Sequence, residues 1–220
     1  MENQDIWRFL REKDINKLQE ILEKDPQRSE EKNETGISLI LYAAYCGFEE
    51  AVKLIHHTKE RPLDLYEATV VGDERQVQLL LKESQSLLNK ANVDGFTPLG
   101  LACFFAKKPL VNYLLKSGAN PNQPSENQAQ IYPINSAAAI GNVEIVALLL
   151  QAGADVNKAQ ASGVTALHSA VHLGNLPLTQ LLLEKGADRT AKTQDKKLPI
   201  DFLELNEPGL QQAFEKALQS

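Results

Sequence analysis

The chain has 220 residues, 43% of them hydrophobic and 24% charged, which is the composition of a soluble globular protein with a buried core. Its net charge of −6 argues against nucleic acids and anionic membranes as partners, because phosphate contacts usually need a basic surface. The two cysteines are too few for a disulfide framework, and no apolar run suits a transmembrane helix or a signal-peptide core. The sequence therefore predicts a cytoplasmic protein.

A repeated helix–turn–helix pattern runs along the chain, and the turn between the two helices marks its phase. The turn residues are Lys13, Gly47, Gly72, Ala106, Gly141, Gly174 and Glu207. Their spacings are 34, 25, 34, 35, 33 and 33 residues, so one repeating unit accounts for nearly the whole chain. The pattern predicts a single domain, residues 1–220, built from helix pairs at residues 5–26, 33–57, 61–88, 95–120, 130–155, 163–188 and 196–220.

The first two connections depart from this pattern. Residues 5–26 lack an opening turn and carry Trp7 where other pairs have small residues, which predicts an N-terminal cap. Between Gly47 and Gly72 the spacing is short, and residues 57–62 replace the turn sequence found elsewhere. We expect a direct link between helices there, without the projecting finger of the later pairs.

The remaining pairs carry local signals for helix starts and ends. Thr97 and Thr165 precede first helices and can cap their free amides. The second helices should be capped by Asp14, Asp73, Asn142 and Asn175, and they should end at left-handed glycines, namely Gly118, Gly153 and Gly186. A long polar finger is expected at residues 123–128, and residues 198–220 are predicted to form a C-terminal cap.

Three stretches share one order of motifs. They read Asp94-Gly95-Phe96-Thr97-Pro98-Leu99, Gln130-Ile131-Tyr132-Pro133-Ile134-Asn135 and Ser162-Gly163-Val164-Thr165-Ala166-Leu167-His168, and each leads to Leu-Leu-x-x-Gly-Ala. This order resembles the ankyrin repeat, whose period is about 33 residues. The resemblance implies an all-α ankyrin-repeat solenoid of stacked helix pairs with short β-hairpin fingers on the later repeats. Phe104-Phe105 before a turn is also similar to compact bacterial ankyrin arrays.

Few residues are candidates for catalysis or metal binding. His168 and His172 have the four-residue spacing of a helical zinc site, but no third ligand is suitably placed. The resemblance implies instead that His168 orders the neighbouring loop by hydrogen bonding. Cys46 and Cys103 lack the sequence context of a nucleophile, and the chain has no phosphate-binding glycine loop. We therefore expect no catalytic residue, no metal and no cofactor, and we predict that the protein is not an enzyme.

In ankyrin arrays the two residues before each turn residue face a concave groove together with the finger tips, and the resemblance implies the same here. Nearly all of these positions are apolar in five successive pairs. This predicts partner-binding residues Tyr45, Val70, Val71, Phe96, Phe104, Phe105, Ile131, Ile140, Val164, His172 and Leu173. Exposed apolar strips mark protein interfaces. The alternative is that these residues only pack one repeat against the next.

The predicted function is that of a monomeric scaffold or adaptor that binds an unidentified protein partner through this groove. We expect no nucleic acid and no membrane as partner. Two other functions stay open at this point. One is a cytoplasmic enzyme, or a ligand or redox sensor, with a pocket near Cys46 or His172. The other is a structural protein that associates with itself.

Overall fold

A computed structural model describes residues 5–203 and 208–219, so the predicted turn residue Glu207 lies outside the described residues. The regular structure in these two ranges is helical, as the resemblance implied. Contacts along the chain cluster into two compact units that meet in sequence between Ser84 and Gln85. The two units are described separately.

Three helix pairs form the first unit. They are α1 (Ile6–Glu12) with α2 (Ile15–Lys24), α3 (Leu39–Tyr45) with α4 (Glu49–Thr58), and α5 (Leu65–Val71) with α6 (Glu74–Glu83), and a 3₁₀ turn follows α2 at Pro26–Glu30. The two helices of each pair pack together, and the first helices also form a row in which α3 contacts both α1 and α5. Buried residues such as Leu10, Leu39 and Leu65 lie on this row.

Aspartates start two of the three second helices of this unit, α2 and α6, as predicted for Asp14 and Asp73. Asp14 Oδ1 accepts a hydrogen bond from the amide of Lys17 at 3.1 Å, and Asp73 Oδ1 accepts one from the amide of Gln76 at 2.9 Å. Each carboxylate satisfies an amide that the first helical turn leaves without an internal partner. Local sequence therefore fixes where α2 and α6 begin.

The connection from α4 to α5 runs through residues 59–64 without helix or strand, and a buried ion cluster holds it. Lys59 Nζ lies 2.5 Å from Glu30 Oε2 and 3.4 Å from Glu67 Oε1, and the Lys59 and Glu67 side chains are each only 5% exposed. Glu67 also accepts the amide of Asp64 at 3.1 Å, which completes a capping box at the start of α5. The ammonium of Lys59 thus pairs with the carboxylates of Glu30 and Glu67 at the connection between α4 and α5, where the sequence predicted no finger.

The second unit contains three further helix pairs and a terminal helix. The pairs are α7 (Pro98–Phe104) with α8 (Lys108–Lys116), α9 (Pro133–Ala139) with α10 (Val143–Gln151), and α11 (Ala166–His172) with α12 (Leu176–Glu184), and α13 (Pro208–Gln219) follows; 3₁₀ turns lie at Gln85–Leu87 and Pro199–Phe202. Helices α7, α9 and α11 pack side by side as an inner row, and α8, α10 and α12 form a second row.

The predicted helix signals of this unit are confirmed with one change. Asn142 and Asn175 cap α10 and α12, and Gly118, Gly153 and Gly186 follow the second helices with φ of 93°, 88° and 85°. Thr97 Oγ1 accepts the amide of Gly100 at 3.1 Å. The hydroxyl of Thr165 instead lies 2.8 Å from Nδ1 of His168, whose Nε2 lies 3.3 Å from the carbonyl of Lys197. His168 therefore ties the start of α11 to the next loop.

The predicted β-hairpin fingers are wrong in detail, because the described fingers are tight turns rather than paired strands. Only isolated bridges occur within the described residues, Lys32 with Ser38 in the first unit and Ala159 with Thr165 in the second. The reason is that the asparagine side chain at a finger base closes the turn locally. Asn92 Oδ1 accepts the amides of Asp94 and Phe96, so the arms do not extend into a ladder.

Backbone hydrogen bonds join neighbouring fingers of the second unit. The amide of Glu126 donates to the carbonyl of Gly95 at 2.8 Å, and the amide of Gln194 donates to the carbonyl of Ser162 at 2.9 Å. The approach is so close that a Cβ at Gly95 would lie 2.7 Å from the amide nitrogen of Asn127. Glycine is therefore required at Gly95 both for its φ of 83° and for space.

An asparagine ladder couples successive repeats at the ends of the second helices. The Asn122 side chain donates to the carbonyl of Gly153 at 2.8 Å and accepts the amide of Asp155 at 2.8 Å. Asn157 repeats this one unit later, donating to Gly186 at 3.1 Å and accepting from Asp188 at 2.7 Å. Because each asparagine satisfies backbone groups of the next repeat, the repeats keep a fixed register.

The last pair departs from the predicted helix pair at its first helix. Residues 199–202 form a 3₁₀ turn, and the carboxylate of Asp201 accepts the amide of Leu198 at 2.7 Å, which closes the chain into a single turn. Helix α13 packs on α12, and the side chain of Phe214 is fully buried. The C-terminal segment therefore covers apolar surface of the preceding repeat.

Candidate binding surface

The ends of α7, α9 and α11 carry the most exposed apolar residues of the inner row. We define the inner-end strip as the residue pairs at these three ends, Phe104, Phe105, Ala139, Ile140, His172 and Leu173. Phe104, Ile140 and Leu173 are 44%, 39% and 47% exposed. Ala139 and His172 are also exposed, and Phe105 is half-buried. Three successive repeats thus each present one large apolar side chain to solvent.

A residue with a left-handed backbone conformation follows each inner helix. Ala106, Gly141 and Gly174 have φ of 54°, 68° and 61°. Leu173 leans on the preceding repeat, since its Cδ1 would lie 3.4 Å from a Cβ placed on Gly141. One face of Leu173 therefore packs between repeats, while nearly half of the side chain remains accessible. Packing between repeats and exposure to a partner are thus compatible at this residue.

The two phenylalanines at the end of α7 form an aromatic pair. Their ring centroids lie 5.0 Å apart with an interplanar angle of 87°, an edge-to-face arrangement. Phe105 is the more buried of the two, so it supports the Phe104 ring from the protein side. The contact with Phe105 therefore favours this orientation of the Phe104 ring.

The residues that the sequence predicted at exposed finger tips are less exposed than predicted. Phe96, Ile131 and Val164 are all half-buried. Phe96 Cδ1 would lie 3.9 Å from a Cβ on Gly100, so this ring covers the first turn of α7. These three residues flank the fingers' bases, and they contribute less accessible surface than the inner-end strip.

The predicted binding residues of the first unit are mostly not exposed. Val70 is 3% exposed and belongs to the core, because α5 packs between its neighbours with this face inward. Its assignment as a partner-binding residue is corrected here. Tyr45, Cys46 and Val71 are half-buried. No large apolar residue of the first unit's pre-turn pairs is as accessible as Phe104 or Leu173.

The environments of the two thiols do not favour nucleophilic chemistry. Burial raises the pKa of the Cys46 thiol, and the charges of Arg11 and Lys13 oppose this only partly. Cys103 is fully buried, and burial raises the pKa of its thiol strongly. A thiol with a raised pKa supplies little thiolate near neutral pH. Within the two described ranges, no group of three or more His, Cys, Asp or Glu side chains is arranged to hold a metal ion.

Sequence reasoning missed a pocket in the first unit. Its volume is about 420 Å³, and it is lined by Asp5, Trp7, Arg11, Lys32, Asn33, Glu34, Thr35 and Tyr42. The rings of Trp7 and Tyr42 meet edge to face with centroids 5.3 Å apart. Cys46, near which the sequence predicted an alternative ligand pocket, does not line it. Trp7, which the sequence analysis noted only as an unusual cap residue, was the sequence feature that could have indicated this pocket.

An aromatic ring and a lysine beside the inner-end strip were also missed. Phe202 lies next to the strip, with its ring centroid 6.4 Å from that of His172, and Lys197 Nζ lies 5.8 Å from the same ring. Lys192 and Lys196 are exposed in the same segment of chain, and so are Asp195 and Asp201. In the part of the chain that the structure describes, none of these three lysines forms an ion pair.

The second unit matches known repeat families. Residues 94–126 match the family model described as Ankyrin repeat, and residues 124–193 match the one described as Ankyrin repeats (3 copies). Both matches fall on the helix pairs that form the inner-end strip. They confirm the ankyrin repeats that the sequence motifs predicted in this region. Among the described residues, no helix is both long and apolar enough to cross a membrane.

Several curated proteins are similar to part of the chain. Ankyrin repeat and SAM domain-containing protein 6 of Rattus norvegicus is 36% identical over 108 residues, 49% of this chain and 12% of that protein. A putative ankyrin repeat protein of Fowlpox virus is 31% identical over 144 residues, 62% of this chain and 32% of that protein. The probable 26S proteasome regulatory subunit p28 of Saccharomyces cerevisiae is 31% identical over 107 residues, 47% of each chain.

The chain therefore spans less than half of the length of each of these relatives. They come from an animal, a virus and a yeast, so they give no support to the bacterial resemblance expected from Phe104-Phe105.

Proposed function

We propose, from the ankyrin repeats that residues 94–193 carry, that this protein binds another protein through the inner-end strip of its second unit. Ankyrin repeats generally mediate protein–protein interaction. The protein then acts as a scaffold or adaptor, by stoichiometric binding rather than by catalysis. The fold alone does not determine a function, so the proposal depends on the residues exposed on the inner-end strip.

One observation carries the proposal: three consecutive repeats expose Phe104, Ile140 and Leu173 at equivalent ends of their inner helices. Large apolar residues in a row are unfavourable in water unless they are covered. Aromatic and aliphatic anchors of this kind concentrate binding energy in protein interfaces. The rest of the protein buries only part of each of these three side chains.

The rigidity of the surface supports binding with little ordering cost. The finger hydrogen bonds and the asparagine ladder fix each repeat against the next. The edge-to-face pair fixes the Phe104 ring. A surface that is ordered before binding loses less conformational entropy when the partner arrives.

The test replaces Phe104 with serine and measures both folding and binding. Because a surface residue tolerates polar replacement within about 0.5 kcal/mol, Phe104→Ser should unfold at nearly the same denaturant concentration as the natural chain. Proteins captured from the native extract should bind at least tenfold more weakly, which corresponds to about 1.4 kcal/mol. Val93→Ser is the control, because Val93 is 64% exposed and lies outside the strip.

Two results would contradict the proposal. Strong destabilisation by Phe104→Ser would show that the ring serves the core, so that the packing interpretation is right. Unchanged capture of every partner by a folded variant would place the binding site elsewhere, with the finger at residues 123–130 as the next candidate. Light scattering at several concentrations tests the alternative that the protein associates with itself. In that case the natural chain should form dimers, and Phe104→Ser should not.

A further inference from the structure

We propose that the pocket of the first unit binds a free aromatic amino acid. The ligand ring lies against Trp7 and Tyr42, and the ammonium and carboxylate of the ligand face the side chains of Glu34 and Lys32. This site does not include the inner-end strip, and it does not depend on the function proposed above. The proposal follows from the two aromatic rings that line the pocket, from the two unpaired charges in its lining, and from its volume.

Two aromatic rings from different helices form one side of the pocket. Trp7 lies on α1 and Tyr42 on α3, and their ring centroids are 5.3 Å apart with an interplanar angle of 87°. Both residues are half-buried, and both line the cavity. Aromatic rings attract one another both as offset stacks and edge to face. Because the two ring planes are nearly perpendicular, a ligand ring that stacks on one of them can meet the other edge to face.

Arg11 and Asp5 also line the pocket, but they pair with each other. The Arg11 guanidinium lies 3.3 Å from Asp5 Oδ2 and donates a hydrogen bond to the Tyr42 hydroxyl at 3.5 Å. Asp5 Oδ1 accepts hydrogen bonds from the amides of Trp7 and Arg8 at the start of α1. The opposite charges of Arg11 and Asp5 offset each other, so this pair adds little net charge to the pocket.

Lys32 and Glu34 supply the two unpaired charges of the lining. Both are exposed, both line the cavity, and neither forms an ion pair with another described residue. Asn33 Oδ1 accepts the amides of Thr35 and Ile37 at 3.1 Å and 2.9 Å, which fixes the turn that carries these two side chains. A ligand with a single charge would meet one group of its own sign. A ligand with an ammonium and a carboxylate can pair with both groups.

The volume of the pocket suits a small molecule with one ring system. The cavity measures about 420 Å³. A cavity of about 150 Å³ already binds benzene, and pockets for small molecules begin at about 300 Å³. Free aromatic amino acids combine one ring system, one ammonium and one carboxylate in a molecule of this size. They therefore match the rings, the charges and the volume of the pocket together.

Trp7 makes the test direct, because it is the only tryptophan of the chain. L-phenylalanine is titrated into the full chain, and the fluorescence of Trp7 is followed at a wavelength that excites neither phenylalanine nor tyrosine. Isothermal titration calorimetry runs beside it and detects binding that leaves the fluorescence unchanged. L-phenylalanine should bind saturably. L-leucine, N-acetyl-L-phenylalanine and L-phenylalanine amide, which lack the ring, the ammonium and the carboxylate respectively, should each bind at least about threefold more weakly.

Two substitutions of exposed residues, which should leave folding nearly unchanged, assign the charges. Glu34→Gln should weaken L-phenylalanine binding at least about threefold and should not weaken binding of its N-acetyl derivative. Lys32→Gln should weaken L-phenylalanine binding by a similar factor and should not weaken binding of the amide. Glu50→Gln and Lys53→Gln are the matched controls, because both residues are exposed on α4 and neither lines the pocket. The controls should leave the affinity unchanged.

Each contrary result would overturn the proposal. Absence of binding in both measurements would show that the pocket does not take this ligand. Equal binding of L-leucine would show that the two rings do not select it, and equal binding of the acetylated and amidated ligands would show that the charges do not. An unchanged affinity in both Glu34→Gln and Lys32→Gln would place the bound ligand outside this pocket. None of these results bears on the inner-end strip, which Phe104→Ser tests separately.

Discussion

At the scale of single residues, Thr179 is a buried hydroxyl that leads to a stability prediction. It is fully buried in α12, and its Oγ1 finds no hydrogen-bond partner among the described residues. Valine has the same shape without the hydroxyl, so Thr179→Val removes an unsatisfied polar group and keeps the packing. We expect the free energy of unfolding to rise by about 1 kcal/mol in urea denaturation.

Thr69→Val is the control for this change. Thr69 is also fully buried, but its hydroxyl donates to the carbonyl of Leu65 at 2.6 Å. The same substitution there should lower the free energy of unfolding by about 1 kcal/mol. Equal effects of the two substitutions would show that the hydroxyl of Thr179 is satisfied in solution.

His168 gives the residue-scale prediction for pH. Burial lowers the pKa of His168, and the hydrogen bond to the carbonyl of Lys197 and the charge of Asp201 offset this only in part. With its pKa lower when folded, this histidine binds protons more readily in the unfolded chain, so stability falls as the pH drops below about 6.5. His168→Gln should reduce the difference in unfolding free energy between pH 7.5 and pH 5.5.

His172→Gln, the same substitution at the exposed histidine of the same helix, is the comparison variant. The acidic residues titrate in every variant, so only the difference between the two histidine variants is diagnostic. An unchanged pH dependence in His168→Gln would contradict the assigned effect of burial.

At the scale of elements, the link from α4 to α5 depends on its buried ion cluster. Burial raises the pKa of Glu30, but hydrogen bonds from Lys59 and from the amide of Arg61 outweigh it, so the pKa of Glu30 lies below its ordinary value. Lys59→Met removes the ammonium and leaves the buried Glu67 without its cation, whereas Glu30 keeps its contacts with the Arg61 guanidinium at 3.7 Å and the Arg61 amide at 3.1 Å. We expect a loss of about 3–5 kcal/mol in unfolding free energy.

Lys24→Met is the matched control, since Lys24 pairs with Glu20 on an exposed face and surface pairs contribute about 0–1 kcal/mol. Losses of similar size for both variants would show that the cluster is not desolvated in solution. A double variant, Lys59→Met with Glu67→Gln, should recover part of the loss, because it removes the buried carboxylate that the first change leaves without a cation.

At the scale of the whole molecule, the C-terminal segment should protect the repeats from aggregation. The turn at Pro199–Phe202 packs on α11, and α13 packs on α12 with Phe214 fully buried. Deleting residues 198–220 exposes these apolar faces, so we expect a lower melting temperature and light scattering from aggregates. A soluble monomer with an unchanged melting temperature would contradict the cap assignment.

Phe214→Ala and Lys216→Ala test the same cap in the full chain. The first should lower the unfolding free energy by about 3 kcal/mol, since it empties a buried aromatic site. The second changes an exposed residue and should have an effect within about 0.5 kcal/mol.

The sequence by itself determined the helix pairs, because their signals act within one turn of chain. Asp14, Asp73, Asn142 and Asn175 cap amides three residues ahead, and a glycine ends a helix through its own φ. It also indicated Phe104, Ile140 and Leu173 as accessible, since the phase of a repeat fixes which positions face away from neighbours.

Only the tertiary structure decided which of the equivalent positions are covered and which charges meet. Val70 and Phe104 precede their turn residues by the same number of positions, yet one is buried and the other is not. Lys59 meets Glu30 across 29 residues of chain, and Lys197 and His172 approach one ring, Phe202. Burial and ion pairing depend on side chains brought together from distant segments, and no signal within a single helical turn encodes those contacts.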